Sequence, residues 1–359
     1  MFNYTVRRLL LMVPTLIGMT AIVFFVVAAA PGGIGAAMLS NEMGMRPAER
    51  ELRRKYLNER YGLDKPLIVQ YGKWLHKISP VGTKPKGTGF PSASPFGFKT
   101  PDFGDSFVRG RKVAGLVVEV LPNTILLNLL ALPVTYVIAV VAGIQAARHR
   151  GKLLDVASGT VFLGMWSFPV ILAGVLMIGY LANVQYAYLF PPGGLSDVRA
   201  DGMAFLPGFT EAGFRRGWLL DRAWHLVLPV LCLAYGHFAF LSKLARGAVL
   251  ENLRSDYVRT AQAKGLGERD VLYRHVLSNS LIPLITVAAQ VLPAMLAGSV
   301  IVENIFSIQG MGKLLVDAIN TRDSELFLSL TMALGFISLL SYLLADILYA
   351  VVDPRVTYE

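Results

Sequence analysis

Histidines, cysteines and acids are where catalysis or metal binding would have to begin, and here they are few and poorly spaced for either. His76, His149, His225, His237 and His275 form no His-Glu-x-x-His pair or other ligand spacing, and Cys232 is the single cysteine. One cysteine forbids an internal disulfide, and its place in an apolar run suits a small packing residue. Gly310-Met-Gly-Lys313 lacks both the upstream glycine and the following Ser or Thr of a GxxxxGK[ST] phosphate loop. The expectation is a chain with no catalytic residue, no metal site and no cofactor of its own, so that energy must arrive from a partner.

Acids inside apolar runs would mark a proton-coupled carrier, because burying them is costly without a functional reason. Only Asp346 lies well inside such a run, where a structural hydrogen-bonding role is expected, and Glu119 and Glu303 sit near run ends. Inverted internal repeats are not visible either, which counts against a secondary transporter. A hydrolase would need a nucleophile with a base, and no such spacing occurs. Asn128, Thr135, Tyr136, Gln290 and Ser299 are uncharged polar residues within apolar runs, apt for a weakly selective wall or for hydrogen bonds between helices. Asn128, Tyr136, Gln290, Ser299 and Glu303 are the candidate translocation-pathway residues.

The elements that must position these residues are membrane helices. Hydrophobic residues make up 54% of the 359, more than the roughly 45–50% of ordinary soluble chains even with glycine counted. Arg7 and Arg8 precede an apolar run from Leu9 to Ala30, long enough as helix to cross a bilayer and longer than the core of a cleaved signal. Five further spans are predicted at Val118–Ala147, Leu154–Asn183, Trp224–Leu244, Leu281–Val302 and Leu326–Val352. Prolines 14, 133, 169, 229, 283 and 293 fall in all but the last, and such kinks are tolerated where neighbouring helices or cavity water take up freed carbonyls. The organisation expected is a first helix over 1–30, an external insert over 31–117, and a five-helix membrane region over 118–359 with a cytoplasmic loop at 245–280. Within the insert, Pro47 to Lys77 has helix-forming composition and the tract from Ser79 to Pro101 is expected to be irregular.

Short-loop charge sets the orientation. Arg148, Arg150 and Lys152 crowd one connection and seven Lys/Arg lie from Lys243 to Arg274, which predicts that these sides and both termini are cytoplasmic. The insert carries fifteen Lys/Arg, but loops beyond about 60 residues translocate largely regardless of charge. The net charge of +10 is spread over loops without an aromatic-interleaved patch, so membrane-surface basicity explains it better than nucleic acid does.

Asp256 to Pro283 is the one charged stretch between two long apolar runs. Ser255 is expected to cap a helix over Asp256–Lys264, and Gly265 to stop it in the left-handed conformation. Gly267 then opens a second helix with Glu268 and Asp270 in its first turn, Asp270 pairing with Arg274. Ala261 and Ala263 keep the first helix slim enough for a partner's backbone.

The run Asp-Tyr-Val-x-Thr-Ala-x-Ala-Lys-Gly-Leu, followed by His275 and Pro283, resembles the EAA loop of ABC-importer permeases, in its dipeptide/oligopeptide/nickel branch. Tyr61 to Tyr71 and Asp102 to Ser106 resemble that branch's external domain. Val302 to Gly312 with Ala318 resembles its external segment beside the pathway, and Asp346 to Arg355 its C-terminal signature. Gln309 and Ser324-Glu325 depart from the usual pattern, which bears on the outer gate. The resemblance implies an all-α polytopic protein with six transmembrane helices of the type I ABC-importer kind. It implies a multi-pass subunit of the bacterial inner membrane, paired with a second homologous permease, two ATPase subunits that hold ATP and Mg, and an external solute-binding protein. Peptide cargo is expected, with nickel or glycosides as alternatives. Residues Tyr257, Arg259, Ala261, Ala263, Lys264, Gly265, Leu266, Gly267 and His275 are expected to couple to the ATPase.

Overall fold

The computed structural model describes residues 2–29, 46–83, 96–106, 108–210 and 213–352. Among them, five helices are long and apolar enough to cross a bilayer, or six if one bent pair counts as a single span. The chain separates into two compact units, one joining Leu10–Val120 with Leu314–Ile337, the other built mainly of Leu121–Lys313. The described residues of the expected insert over 31–117 fall in a unit that also takes in most of the first helix and part of the last.

That first unit contains α1 (Phe2–Ala29) from Leu10 onward, α2 (Pro47–Tyr61) and α3 (Leu67–Ile78). Gly62 separates α2 from α3 in the left-handed conformation, φ 66°, and its amide closes onto Asn58 O at 2.7 Å. Phe24 of α1 packs with Tyr61, Trp74 and Ile78, and the Tyr71 hydroxyl donates to Ile17 O at 2.9 Å. The tract expected to be irregular begins and ends in a hairpin, with β1 (Val81–Thr83) pairing antiparallel to β2 (Phe96–Phe98). Residues 84–95 between them lie outside the described set. A second short pair, β3 (Asp105–Ser106) with β4 (Arg111–Lys112), leads directly into α4 (Val113–Arg148).

The second unit has its core where α4, α6 (Val170–Leu176), α7 (Gly217–Leu253) and α10 (Leu277–Ile305) meet, around Leu127, Ala173, Leu228, Leu241 and Met295. The α7 helix is the candidate span buried over most of its length. Gly143 of α4 lets the backbones touch, since a Cβ there would meet Ala245 Cβ at 2.6 Å and Ser242 O at 2.8 Å. Between α6 and α7 the chain runs through β5 (Gly208–Thr210) and β6 (Gly213–Arg215), a short hairpin.

The predicted third span is not one straight helix. The α5 helix (Leu153–Ser167) and the segment Val170–Leu181 meet at 98°. Pro169 is the cause: it forces Phe168 extended, φ −91° and ψ 123°, and then starts α6. Carbonyls freed at the break find partners on α7, the Tyr235 hydroxyl donating to Phe168 O at 2.8 Å and Cys232 Sγ lying 3.8 Å from Val170 O. Pro14, Pro133, Pro229, Pro283 and Pro293 all lie inside continuous helices.

Candidate functional site

The charged segment folds as helix, turn, helix. The first helix, α8, covers Asp256–Ala263, and α9 (Glu268–Asp270) runs through a wide turn at Val271–Val276 into α10. Ser255 stands at the N-cap position, but its hydroxyl donates to Asn252 O at 2.5 Å instead of capping α8. At the other end the stop is as expected in kind. Gly265 has φ +81°, its amide donates to Gln262 O at 2.9 Å, and Leu266 N–H reaches Ala261 O at 3.3 Å, the paired closure of a left-handed helix stop. Gly267 is ordinary extended backbone, φ −64° and ψ 152°. Asp270 and Arg274 approach to 3.7 Å, both exposed.

Packing divides the segment into two faces. Val258, Ala261, Val271, Leu272 and Val276 are buried against Ile144 and Ala147 of α4 and Val249 of α7. Ala261 therefore packs on the chain's own core and is not free to receive a partner. Arg259, Ala263, Lys264, Gly265, Leu266 and Gly267 are exposed, as is Tyr257, and His275 is half-buried. The Tyr257 hydroxyl donates to Asn252 Oδ1 at 2.7 Å, and Asn252 Nδ2 reaches Ser280 Oγ at 3.2 Å, so α8 is tied by hydrogen bonds to both α7 and α10. Tyr273, absent from the predicted set, is also exposed, as Tyr257 and Leu266 are. The segment is thus joined to two long helices by a packed core and a short polar chain.

The described residues among the predicted pathway set engage in hydrogen bonds within or between helices. Asn128 is buried and its amide donates to Thr124 O at 2.8 Å within its own helix. Thr135 likewise turns back on Ala131 O, while the Tyr136 hydroxyl bridges α4 to α10 through Leu284 O at 3.0 Å. The side chains of Gln290 and Asp346 lie outside the described set. Ser299 is buried and donates to Leu296 O at 2.8 Å.

Glu303 is fully buried. Its carboxylate accepts the Thr124 hydroxyl at 2.8 Å and the Gly312 and Lys313 amides at 2.7 and 3.1 Å. The Thr124 oxygen in turn accepts the Met311 amide at 2.8 Å. Glu303 therefore caps the start of α11 (Met311–Asn320), where unpaired amides favour an anion. The glycines of Gly310-Met-Gly312, which have the look of a failed phosphate loop, bring backbone amides against this chain's own carboxylate. A Cβ on either glycine would collide with that carboxylate or with Val300.

Two buried charges escaped the sequence reading. Asp221 of α7 lies 3.6 Å from His225 and accepts the Asp197 amide at 2.8 Å. In the other unit, Arg60 sits between Asp102 and Glu325, the first residues of α12 (Ser324–Val352) being adjacent to β3 through Ser106 Oγ and Asp323 Oδ2. Burial works against the Arg60 charge, but Glu325 and Asp102 outweigh it and hold its pKa above the ordinary value. Burial, reinforced by the charge of Glu325, pushes the Tyr56 hydroxyl up to about 12.

Comparison with known proteins decides the family. The family of binding-protein-dependent transport system inner membrane components matches residues 139–358, and its N-terminal domain matches residues 1–128. The chain belongs to this family. It is 34% identical to the oligopeptide transport system permease protein AppB of Bacillus subtilis, over 100% of both chains. It is 33% identical to the di/tripeptide transport system permease protein DppB of Pseudomonas aeruginosa, again over 100% of both. In fold it is similar to a chain of the methionine ABC transporter MetNI, solved in inward-facing conformations, with a TM-score of 0.50 at 15% identity over 67% of this chain and 97% of that one. It is thus an all-α, multi-pass permease subunit of an ABC importer.

Proposed function

We propose that this permease forms half of the translocation pathway of a di- or oligopeptide importer and receives the ATPase stroke on the outer face of Asp256–Asp270. The observation that carries the reading is the two-faced packing of that segment. Val258 and Ala261 lock it to α4 and α7, while Arg259, Ala263, Lys264, Leu266 and Gly267 present a continuous exposed surface. Both relatives above are named as peptide permeases, which favours peptide cargo. The partners are a second permease, two ATPase subunits that bind ATP and Mg, and an external binding protein. Closure of the ATPase pair moves α8, and the Tyr257–Asn252–Ser280 chain carries that motion into α7 and α10, opening the path on the opposite side of the membrane. The segment and both termini face the cytoplasm, a reading supported by the short-loop charge.

Leu266→Asp tests this directly, because Leu266 is exposed and its loss disturbs no core. The variant is expected to reach the membrane at normal abundance while losing peptide uptake and co-purifying ATPase. Full ATPase retention by Leu266→Asp overturns the docking surface, and an uptake assay with labelled dipeptide and nickel decides the cargo.

A further inference from the structure

A crevice of about 310 Å³ opens where α4, α5 and α7 meet, lined by Asp155, Ser158, Gly159, Ser242, Lys243 and Arg246. It lies at the helix ends that carry Arg148, Arg150 and Lys152, so it opens at the membrane interface. Arg246 is bound at both ends by Asp155, Nε to Oδ1 at 2.6 Å and Nη2 to Oδ2 at 2.7 Å. Lys243 is exposed and has no ion pair among the described residues. Two cations against one carboxylate leave the crevice with one positive charge, supplied by an ammonium free to bind.

A second hollow of about 470 Å³ lies where α5, the segment Val170–Leu181 and α7 meet, lined by Gly164, Met165, Phe168, Leu176, Leu181 and Tyr235. Tyr235 precedes Ser242 by two turns of α7, so this hollow is about 10 Å deeper and on the same face. It sits in the angle made by Pro169 and is almost wholly apolar. From the first hollow to the second, across Phe162 packed on Phe238 at 5.7 Å between ring centroids, the lining changes from cationic to apolar. That gradient matches an amphiphile with one negative charge at its head.

We propose that the α5–α7 groove is a binding site for one anionic phospholipid, its phosphodiester held by Lys243 and the outer edge of Arg246, its acyl chain lying in the hollow beside Phe168 and Tyr235. A phosphodiester carries the single negative charge the crevice lacks, and basic recesses between membrane helices are suited to such headgroups. The proposal is independent of peptide cargo and of ATPase docking. It gives the helix break at Pro169 a second role, as the floor on which a lipid tail lies.

Native mass spectrometry of the full-length protein in mild detergent, with phosphatidylglycerol or phosphatidylcholine added, tests it. Wild type is expected to retain phosphatidylglycerol about fivefold better, the size of one cation's contribution at a membrane surface. Lys243→Gln should bring the two lipids level, and Lys65→Gln, in the connection between α2 and α3, should change nothing. Gly159→Leu should remove the retained lipid without changing charge, because a Cβ there has no neighbour within 4 Å and the side chain extends into the crevice. Inorganic phosphate at millimolar concentration should fail to compete, since it has no tail. Equal retention of both lipids by wild type overturns the proposal, as does a preference that survives both Lys243→Gln and Gly159→Leu. Competition by inorganic phosphate reduces the crevice to a simple anion pocket and also overturns it. Cross-linking of Gly164→Cys to a second permease, in place of lipid, makes this face a subunit interface and overturns it as well.

Discussion

Arg60 Nε lies 2.6 Å from Glu325 Oε1, with both side chains almost completely buried, while Arg60 Nη1 holds Asp102 at 2.7 Å. The pair joins α2 to the first turn of α12, and Gly104, at φ +82°, leaves room for the Glu325 carboxylate where a Cβ would overlap it. Removing one partner of a buried pair strands the other's charge. Arg60→Ala is therefore expected to destabilise this unit by about 3–5 kcal/mol, whereas Arg60→Met with Glu325→Leu recovers most of that loss. Thermal unfolding in detergent, followed by protease cleavage within residues 46–106, measures both. A double variant no more stable than Arg60→Ala would show that the cluster is held by something other than this pair.

The same cluster sets a pH window. Burial alone would raise the Asp102 pKa, but Arg60 and the Gly104 amide outweigh it, so the folded value lies below the ordinary carboxylate range. Stability from this group is complete above the unfolded value near pH 4 and is lost as pH falls through the lower folded value. Tyr56 behaves oppositely. Its folded value of about 12 exceeds the unfolded 10.0, so stability is complete below pH 10 and falls as pH rises toward 12. Unfolding of this unit should be pH-insensitive between those limits, and Tyr56→Phe should weaken the alkaline limb without abolishing it, because burial also raises the hydroxyl of the neighbouring Tyr61.

The spans were legible because apolar runs of bilayer length leave few alternatives, and the left-handed stop at Gly265 because its neighbours on both sides are helix formers. The break at Pro169 was not, since Pro133 and Pro229 look equivalent in sequence yet stay within helices. The difference is tertiary: Tyr235 and Cys232 stand where the freed carbonyls emerge, and both belong to another helix. Arg60 and Glu325 are far apart in sequence, so no local pattern links them. Glu303 with Gly310-Met-Gly312 is the intermediate case. A carboxylate shortly before a glycine-spaced helix start is a local signal for self-capping, and the search for phosphate binding and for pathway residues read each half separately.

Glu303→Gln tests that capping. It keeps the shape but removes the charge that faces the Gly312 and Lys313 amides, and is expected to cost about 1–2 kcal/mol, the upper range for a charge at a partly buried helix end. Gly312→Ala should cost more, because its Cβ collides with Val300 as well as with the carboxylate. Hydrogen exchange of the Gly312 and Lys313 amides reports the effect locally. Unchanged protection in Glu303→Gln would mean that the carboxylate is a bystander there.

Gly265 and Gly267 separate backbone conformation from surface contact. Gly265 has φ +81°, which costs a residue with a Cβ about 1–2 kcal/mol, yet a Cβ there meets nothing within this chain. Any larger effect of Gly265→Val must arise from the misdirected turn or from an outside partner. Gly267 is extended, with equally open surroundings, so Gly267→Ala changes neither backbone nor packing and loses only a modest N-cap preference. The expected result is that Gly265→Val keeps normal membrane abundance but abolishes peptide uptake and weakens ATPase co-purification, while Gly267→Ala stays within about twofold of wild type in uptake. Abundance by blot and ATPase recovery, measured on the same membranes, distinguish the possibilities. If Gly265→Val holds the ATPase as well as wild type does, the turn at 264–267 is not at the docking surface, and the stroke must enter through the face around Tyr257 and Tyr273.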